Sequence, residues 1–232
     1  MNEANRWVVI PAAGVGKRMG SAIPKQYLEL LGRPVIDHTI ERLLHHPAMD
    51  GVYVALSDDD TWWSQSEFVR HPDIVRVPGG AKRCHSVFNA LQTLQERARP
   101  NDWVLVHDAV RPCVRRSDID HLITQVEVQA TGGLLGIPVC DTMKRTDGRA
   151  TISTTIERNN LWHAFTPQMF RFGALYQAMQ QAVQQDQPVT DEASAMELMG
   201  VSIVMVEGQS DNIKITQQED LALAAFYLSQ QI

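Results

Sequence analysis

The residues best suited to chemistry lie in a cationic, glycine-bearing turn, Pro11-Ala12-Ala13-Gly14-Val15-Gly16-Lys17-Arg18-Met19-Gly20, with Pro24-Lys25-Gln26 close behind. Lys17, Arg18 and Lys25 supply positive charge, and no acidic residue occurs between Ala4 and Leu28. The turn follows Trp7-Val8-Val9-Ile10, an apolar run that reads as a buried strand. A turn of this kind at the carboxyl end of a first strand is where α/β proteins hold phosphates. Glycine lets backbone N–H groups approach an anion, and the cations neutralise it. Two better-known phosphate motifs fail on particular residues. In a P-loop, Pro11 would stand at the first glycine and Arg18 would replace the hydroxyl that binds magnesium. In a dinucleotide fingerprint, Met19 would take the third glycine position, where close helix packing is needed.

A second candidate is Asp108, which ends the apolar run Trp103-Val104-Leu105-Val106-His107. A carboxylate at that end of a central strand, near bound phosphates, is suited to magnesium, which takes hard oxygen ligands and keeps several waters. Arg111 either pairs with Asp108 or faces a second phosphate, and His107 reads as a packed strand-end histidine. The third candidate is Asp211-Asn212-Ile213-Lys214-Ile215-Thr216, read as a short strand flanked by a second metal ligand, Asp211, and a phosphate cation, Lys214. Alone it would be an ordinary charged loop; beside the other two it gains functional weight. Polar residues also gather in Glu157 to Gln168. Thr190-Asp191-Glu192-Ala193 opens a helix whose N–H groups suit an anion, although Thr190 and Asp191 serve equally well as plain caps.

The elements that must position these residues alternate along the chain. Strands are expected at Gly51 to Leu56, Ile74 to Val77, Trp103 to His107, Gly132 to Val139 and Ile203 to Val206. Helices are expected from Val35 to His46, from Lys82 to Glu96, from a Ser117 cap to Gln129, from Phe172 to Gln185, to Met199, and from Gln217 onward. This β-α-β-α rhythm predicts an α/β fold, a doubly wound, mostly parallel sheet in one domain. From Cys140 to about Glu157 the rhythm breaks, and a turn at Asp147-Gly148 between two threonine-bearing runs predicts a projecting β-hairpin arm. Its 232 residues suffice for one good core. A balance of 21 basic against 27 acidic residues, net −6, disfavours a nucleic-acid-coating role. Three cysteines (Cys84, Cys113, Cys140), with no Cys-x-x-Cys spacing, argue against a disulfide framework and fit a reducing cytoplasm. The sequence offers no signal peptide and no membrane span.

PAAGVGKRM, PKQY, GGAKRCHSV, VLVHDAVRP, DTMKR, LWHAFTPQ, TDEASAME and DNIKIT occur in this order. The set resembles the 2-C-methyl-D-erythritol 4-phosphate cytidylyltransferases of non-mevalonate isoprenoid biosynthesis, from Val8 to the terminal helix. The first loop with Lys25 is similar to sugar-phosphate nucleotidyltransferases in general, and DTMKR, TPQ and TDEA narrow the match. A fused form with a downstream cyclase is not expected.

The resemblance implies a Rossmann-like fold and CMP transfer from CTP to methylerythritol phosphate with a divalent cation. It also implies that Ala12, Ala13 and Gly14 line the CTP base and phosphates, that Gly80, Ala81 and Ser86 read cytosine and ribose, and that Arg18 and Lys25 hold the triphosphate. Asp108 would lie near magnesium and the acceptor hydroxyls, while Arg111, Thr142, Arg158, Thr166, Thr190 and Lys214 would surround the sugar phosphate. Family members are homodimers with crossed arms, so Thr142 and Arg158 would serve the partner's site. Ala81 departs from relatives that carry an acid there, and Val110 from those with alanine. The alternatives are a cytidylyltransferase for another polyol phosphate, such as ribitol phosphate, and a non-catalytic nucleotide-binding regulator. The regulator would have no need of Lys25, Asp108 and Lys214 together.

Overall fold

In the computed structural model, which describes residues 4–14, 23–129 and 131–231, the apolar runs become a seven-stranded sheet with helices on both faces. In chain order the larger elements are β1 (Arg6–Pro11), β2 (Glu29–Leu30), β3 (Arg33–Pro34), α1 (Val35–Leu44), β4 (Gly51–Leu56), β5 (Ile74–Pro78), α2 (Arg83–Leu94), β6 (Trp103–Val106) and α3 (Arg116–Gln129). They continue with β7 (Gly132–Pro138), β8 (Met143–Thr146), β9 (Ile152–Ile156), β10 (Trp162–Arg171), α4 (Phe172–Gln184), α5 (Glu192–Leu198), β11 (Val204–Glu207) and α6 (Glu219–Ser229). The sheet order is β11-β7-β10-β6-β1-β4-β5, parallel throughout except for β10.

Successive side chains of a strand point to opposite faces, and the central strands use both. Val8 and Ile10 of β1, Val52 and Val54 of β4 and Leu105 of β6 pack under α1 and α3. Trp7 and Val9, Tyr53 and Ala55, and Val104 and Val106 pack under α2 and α4. Val8, Val9 and Ile10 have no exposed surface, and burying each contributes roughly 1.5–3 kcal/mol. From β1 the chain order runs to β4 and β5 on one side and to β6 on the other. The sheet therefore has its topological switch point beside β1, where wound sheets open a crevice at the strands' carboxyl ends.

Four details differ from the sequence expectation. The largest is β10, a ten-residue strand in the middle of the sheet where the sequence offers only a polar segment. Pro167 and the buried Thr166 and Gln168 disguise it, and the ladder to β7 is irregular between Ala164 and Gln168. Asn212 to Thr216 is not a strand. It is a loop pinned by the Ile215 amide to the Val110 carbonyl at 2.9 Å and by Arg111 to the Asn212 carbonyl at 2.6 Å, with no ladder. Helix α3 begins at Arg116, so Ser117 lies inside its first turn and is not the cap. Helix α6 begins at Glu219; from its first turn Asp220 accepts the Thr216 and Gln217 amides at 2.7 and 2.9 Å and keeps those two residues outside the helix. The predicted arm is present as the antiparallel pair β8 and β9.

Candidate active site

Three chain turns at the carboxyl ends of β1, β5 and β6 enclose a cleft of about 370 Å³. The first wall continues β1: the Ala12 amide bonds the Ala55 carbonyl at 2.8 Å, and buried Gln26 donates to the Ala12 carbonyl at 2.7 Å. Gln26 belongs to a single 3₁₀ turn, Lys25–Tyr27, so this bond brings Lys25 to the cleft beside Ala12, Ala13 and Gly14. Arg18 lies outside the described residues.

The second wall follows β5. A Cβ at Gly79 would lie 2.3 Å from the Ala13 Cβ and 2.9 Å from the Leu56 carbonyl oxygen, so only glycine lets the two walls approach. A Cβ at Gly80 would lie 2.3 Å from that of His85. Buried Ser86, in the first turn of α2, accepts the Gly80 amide at 3.0 Å, which fixes the turn that presents Ala81.

Asp108 forms the floor. Its Oδ1 accepts from Arg83 Nε at 3.1 Å, while its Oδ2 faces Lys214 Nζ at 2.8 Å and Arg111 Nε at 3.6 Å. Burial alone would raise the Asp108 carboxyl, but Arg83, Lys214 and Arg111 outweigh it and hold the group well below the usual carboxylate range. Behind it, Thr166 Oγ1 accepts the Asp108 amide at 3.0 Å and lies 3.0 Å from His107 Nδ1, whose Nε2 is 3.0 Å from the Arg111 carbonyl. With His107 neutral, one proton arrangement satisfies all three contacts. Thr166 donates to Nδ1, and a neutral His107 donates from Nε2. Burial pushes His107 down to about 4, in keeping with that neutral form. Irregular β10 thus has a use: its bulge delivers Thr166 to the back of Asp108.

Of the residues singled out from sequence, Ala12, Ala13, Gly14, Lys25, Gly80, Ala81, Ser86, Asp108 and Lys214 line this one cleft. Arg111 and Thr166 are buried behind Asp108, and Arg111 also lies 4.8 Å over the Phe165 ring. Thr190 is exposed just ahead of α5, whose cap is Asp191, bonded to the Ser194 amide at 2.9 Å. Thr142 and Arg158 stand exposed at the root of the arm, with Arg158 bonded to the Cys140 carbonyl. Asp211 points elsewhere: Arg115 donates to its Oδ2 at 2.8 and 2.6 Å, and it is not among the residues lining the cleft.

Among the described residues no three His, Cys, Asp or Glu side chains gather into a metal site. Asp108 is the one carboxylate among the described residues that line the cleft. That donor set fits a hard cation shared with substrate phosphates better than one held by protein ligands alone.

Two residues that sequence reasoning missed complete the floor. Arg83 forks onto fully buried Glu192, Nη1 to Oε1 at 2.6 Å and Nη2 to Oε2 at 3.0 Å. The available signal was Glu192 on the apolar face of a short helix, at i, i+3, i+4 spacing with buried Ala195 and Met196. A carboxylate placed so implies a buried partner.

A glycine-built cleft at the switch point of a wound sheet, with Lys214, Arg83 and Arg111 converging on the Asp108 carboxylate, suits a nucleotide-phosphate enzyme of the nucleotidyltransferase class. The comparisons with known proteins are more specific. Residues 7–230 match the family described as IspD, 2-C-methyl-D-erythritol 4-phosphate cytidylyltransferase. The enzyme of that name from Vibrio vulnificus is 52% identical over 223 residues, covering 96% of this chain and 94% of its own. That from Hahella chejuensis is 49% identical over 228 residues, covering 98% and 95%. The solved structure of the Francisella tularensis 2-C-methyl-D-erythritol 4-phosphate cytidylyltransferase superposes with a TM-score of 0.85 at 37% identity, over 97% of this chain and 100% of that one. The chain belongs to the 2-C-methyl-D-erythritol 4-phosphate cytidylyltransferase family and is a cytidylyltransferase.

Proposed function

We propose that this cleft transfers CMP from CTP to 2-C-methyl-D-erythritol 4-phosphate, giving 4-diphosphocytidyl-2-C-methyl-D-erythritol and pyrophosphate, a step of isoprenoid precursor biosynthesis. The observation that carries the reading is the meeting of Lys214 with Asp108 at 2.8 Å in a cleft whose facing wall holds Lys25 and the Ala12 to Gly14 turn. CTP lies along that turn, with its base and ribose toward Gly80, Ala81 and Ser86 and its phosphates toward Lys25 and Arg18. The acceptor phosphate enters toward Lys214, Arg111, Thr166 and Thr190, with its hydroxyls near Asp108.

One acceptor phosphate oxygen attacks the α-phosphorus, the bond from that phosphorus to the bridging oxygen breaks, and pyrophosphate leaves with the electron pair. The attacking oxygen is already ionised, so no general base is required. The barrier is the approach of two anions and the charge that builds on the leaving group. Lys25, Arg18 and Lys214 oppose that charge from fixed positions. Asp108 would hold a divalent cation jointly with the nucleotide phosphates, and the cation would supply further neutralisation of the leaving charge. Asp211 is engaged by Arg115, so we leave it to a structural role.

We further propose a homodimer in which the arms exchange, so that Thr142 and Arg158 complete the partner's acceptor site. Support comes from exposed apolar side chains on the arm, Met143 and Ile152, in a hairpin too small to be stable alone. The three free cysteines favour the cytoplasm as the place of action. Pyrophosphate release, followed with CTP, magnesium and a panel of polyol phosphates, tests the reaction. Release is expected only with methylerythritol phosphate present, and turnover of ribitol phosphate alone would overturn it.

A further inference from the structure

Arg83 opens α2 and Glu192 opens α5, and 109 positions separate them in sequence. All three guanidinium nitrogens of Arg83 face carboxylates: two fork onto Glu192, and Nε donates to Asp108 Oδ1. The Glu192 side chain is 0% exposed, whereas that of Arg83 is 27% exposed toward the cleft. A plain buried ion pair would account for the fork. It does not account for the third nitrogen reaching Asp108, the one carboxylate among the described residues that line the cleft.

The consequence is a division of labour at Asp108. Its Oδ1 is taken by a donor that Glu192 holds still, and its Oδ2 is left to Lys214 and Arg111, the cations nearest the acceptor side. A forked guanidinium is directional in a way that an ammonium is not. Glu192 is itself anchored: Gln168 of β10 donates to the Asp191 cap at 2.8 Å and accepts the Ala193 amide at 2.8 Å. Thr166 of the same strand holds the Asp108 amide. Strand β10 therefore governs Asp108 twice, through its backbone and, by way of α5, Glu192 and Arg83, through its side chain.

We propose that Arg83 is a positioning residue for the transfer, anchored by Glu192 and acting through Asp108 Oδ1 to aim Oδ2 at the hydroxyls of the acceptor sugar phosphate. The inference rests on the reading of Asp108 as an acceptor-side residue.

Two variants test it: Arg83→Lys keeps the charge and loses the fork, and Glu192→Gln keeps the shape and loses the charge. Each is expected to lower kcat/KM for methylerythritol phosphate by about tenfold or more, as loss of an orienting partner does, while KM for CTP stays within about twofold. In an Asp108→Asn background the same substitutions should cost less than about a further twofold, because the route through Asp108 is already cut. Multiplicative losses in that background would overturn the proposal. So would lowered thermal stability with unchanged turnover per folded molecule. Should Arg83→Lys fail to fold, Glu192→Gln carries the same comparison. Failure of the underlying reading shows separately, as wild-type enzyme that does not turn over the acceptor or Asp108→Asn enzyme with unaltered acceptor kinetics.

Discussion

In the cleft, buried Asp108 has three cationic neighbours, its amide is held by Thr166, and the walls approach through Gly79 with no room for a Cβ. In the arm, β8 and β9 bond to each other, their side chains are almost all exposed, and Ile152 shows 61% of its surface. Asp147 closes that hairpin, its Oδ1 accepting the Arg149 and Thr151 amides at 2.8 and 2.9 Å. The cleft is organised by buried charge fixed within one chain; the arm is organised by its own two-stranded ladder and local turn chemistry. Charges held in advance suit a reaction whose barrier is electrostatic. A two-stranded ribbon has no core of its own and takes its stability from whatever it lies on. The contrast suits the proposal that nucleotide chemistry is built within each subunit and that the arm completes acceptor capture in a partner.

The largest expected effect strikes the cleft. Lys25→Ala should lower kcat by about a hundredfold or more, as removal of one transition-state charge partner does. Thermal stability should change little, because Lys25 is only partly buried, on a single 3₁₀ turn. Steady-state kinetics and thermal unfolding of the same preparation check both halves.

The next effect sharpens the cleft's dependence on its frame. Burial holds His107 at about 4 when folded, against an ordinary value near 6.5. The unfolded chain therefore binds this proton between pH 6.5 and 4 and the folded chain does not. The stability tied to neutral His107 is fully present above pH 6.5 and is lost as pH falls toward 4, by about 3 kcal/mol at the limit. Denaturant unfolding from pH 7 to 4.5 should show a shallower decline in His107→Gln than in the wild type. Equal slopes would remove His107 from the account.

The smallest effect strikes the arm. Asp147→Ala removes the acceptor for two turn amides and should loosen the hairpin by about 1 kcal/mol. KM for methylerythritol phosphate should rise a few-fold, KM for CTP should hold, and unfolding of the main core should be unaltered. Parallel changes in both KM values would blur the division between cleft and arm.

The sheet's parallel half was legible because its strands are unbroken apolar runs between glycine and proline punctuation. The first wall of the cleft was legible as a candidate because a glycine-bearing turn and Lys25 stand in an acid-free stretch. Strand β10 was not, since its polar Thr166, Pro167 and Gln168 imitate a loop and are explained only by partners far along the chain. Asn212 to Thr216 misled in the opposite sense: its alternation resembles a strand, yet its backbone bonds go to Val110 and Arg111. The Arg83–Glu192 fork carries no local spacing at all, because it joins two helix starts that only the fold brings together.

The division between cleft and arm is tested most directly by mixing two inactive variants, Lys25→Ala and Arg158→Ala, and letting subunits exchange. With crossed arms, each mixed dimer contains one site with both residues intact, so roughly a quarter of wild-type activity should return if sites are independent. Proven subunit exchange without recovery would contradict the account, because no intact site can form if both residues act within one chain.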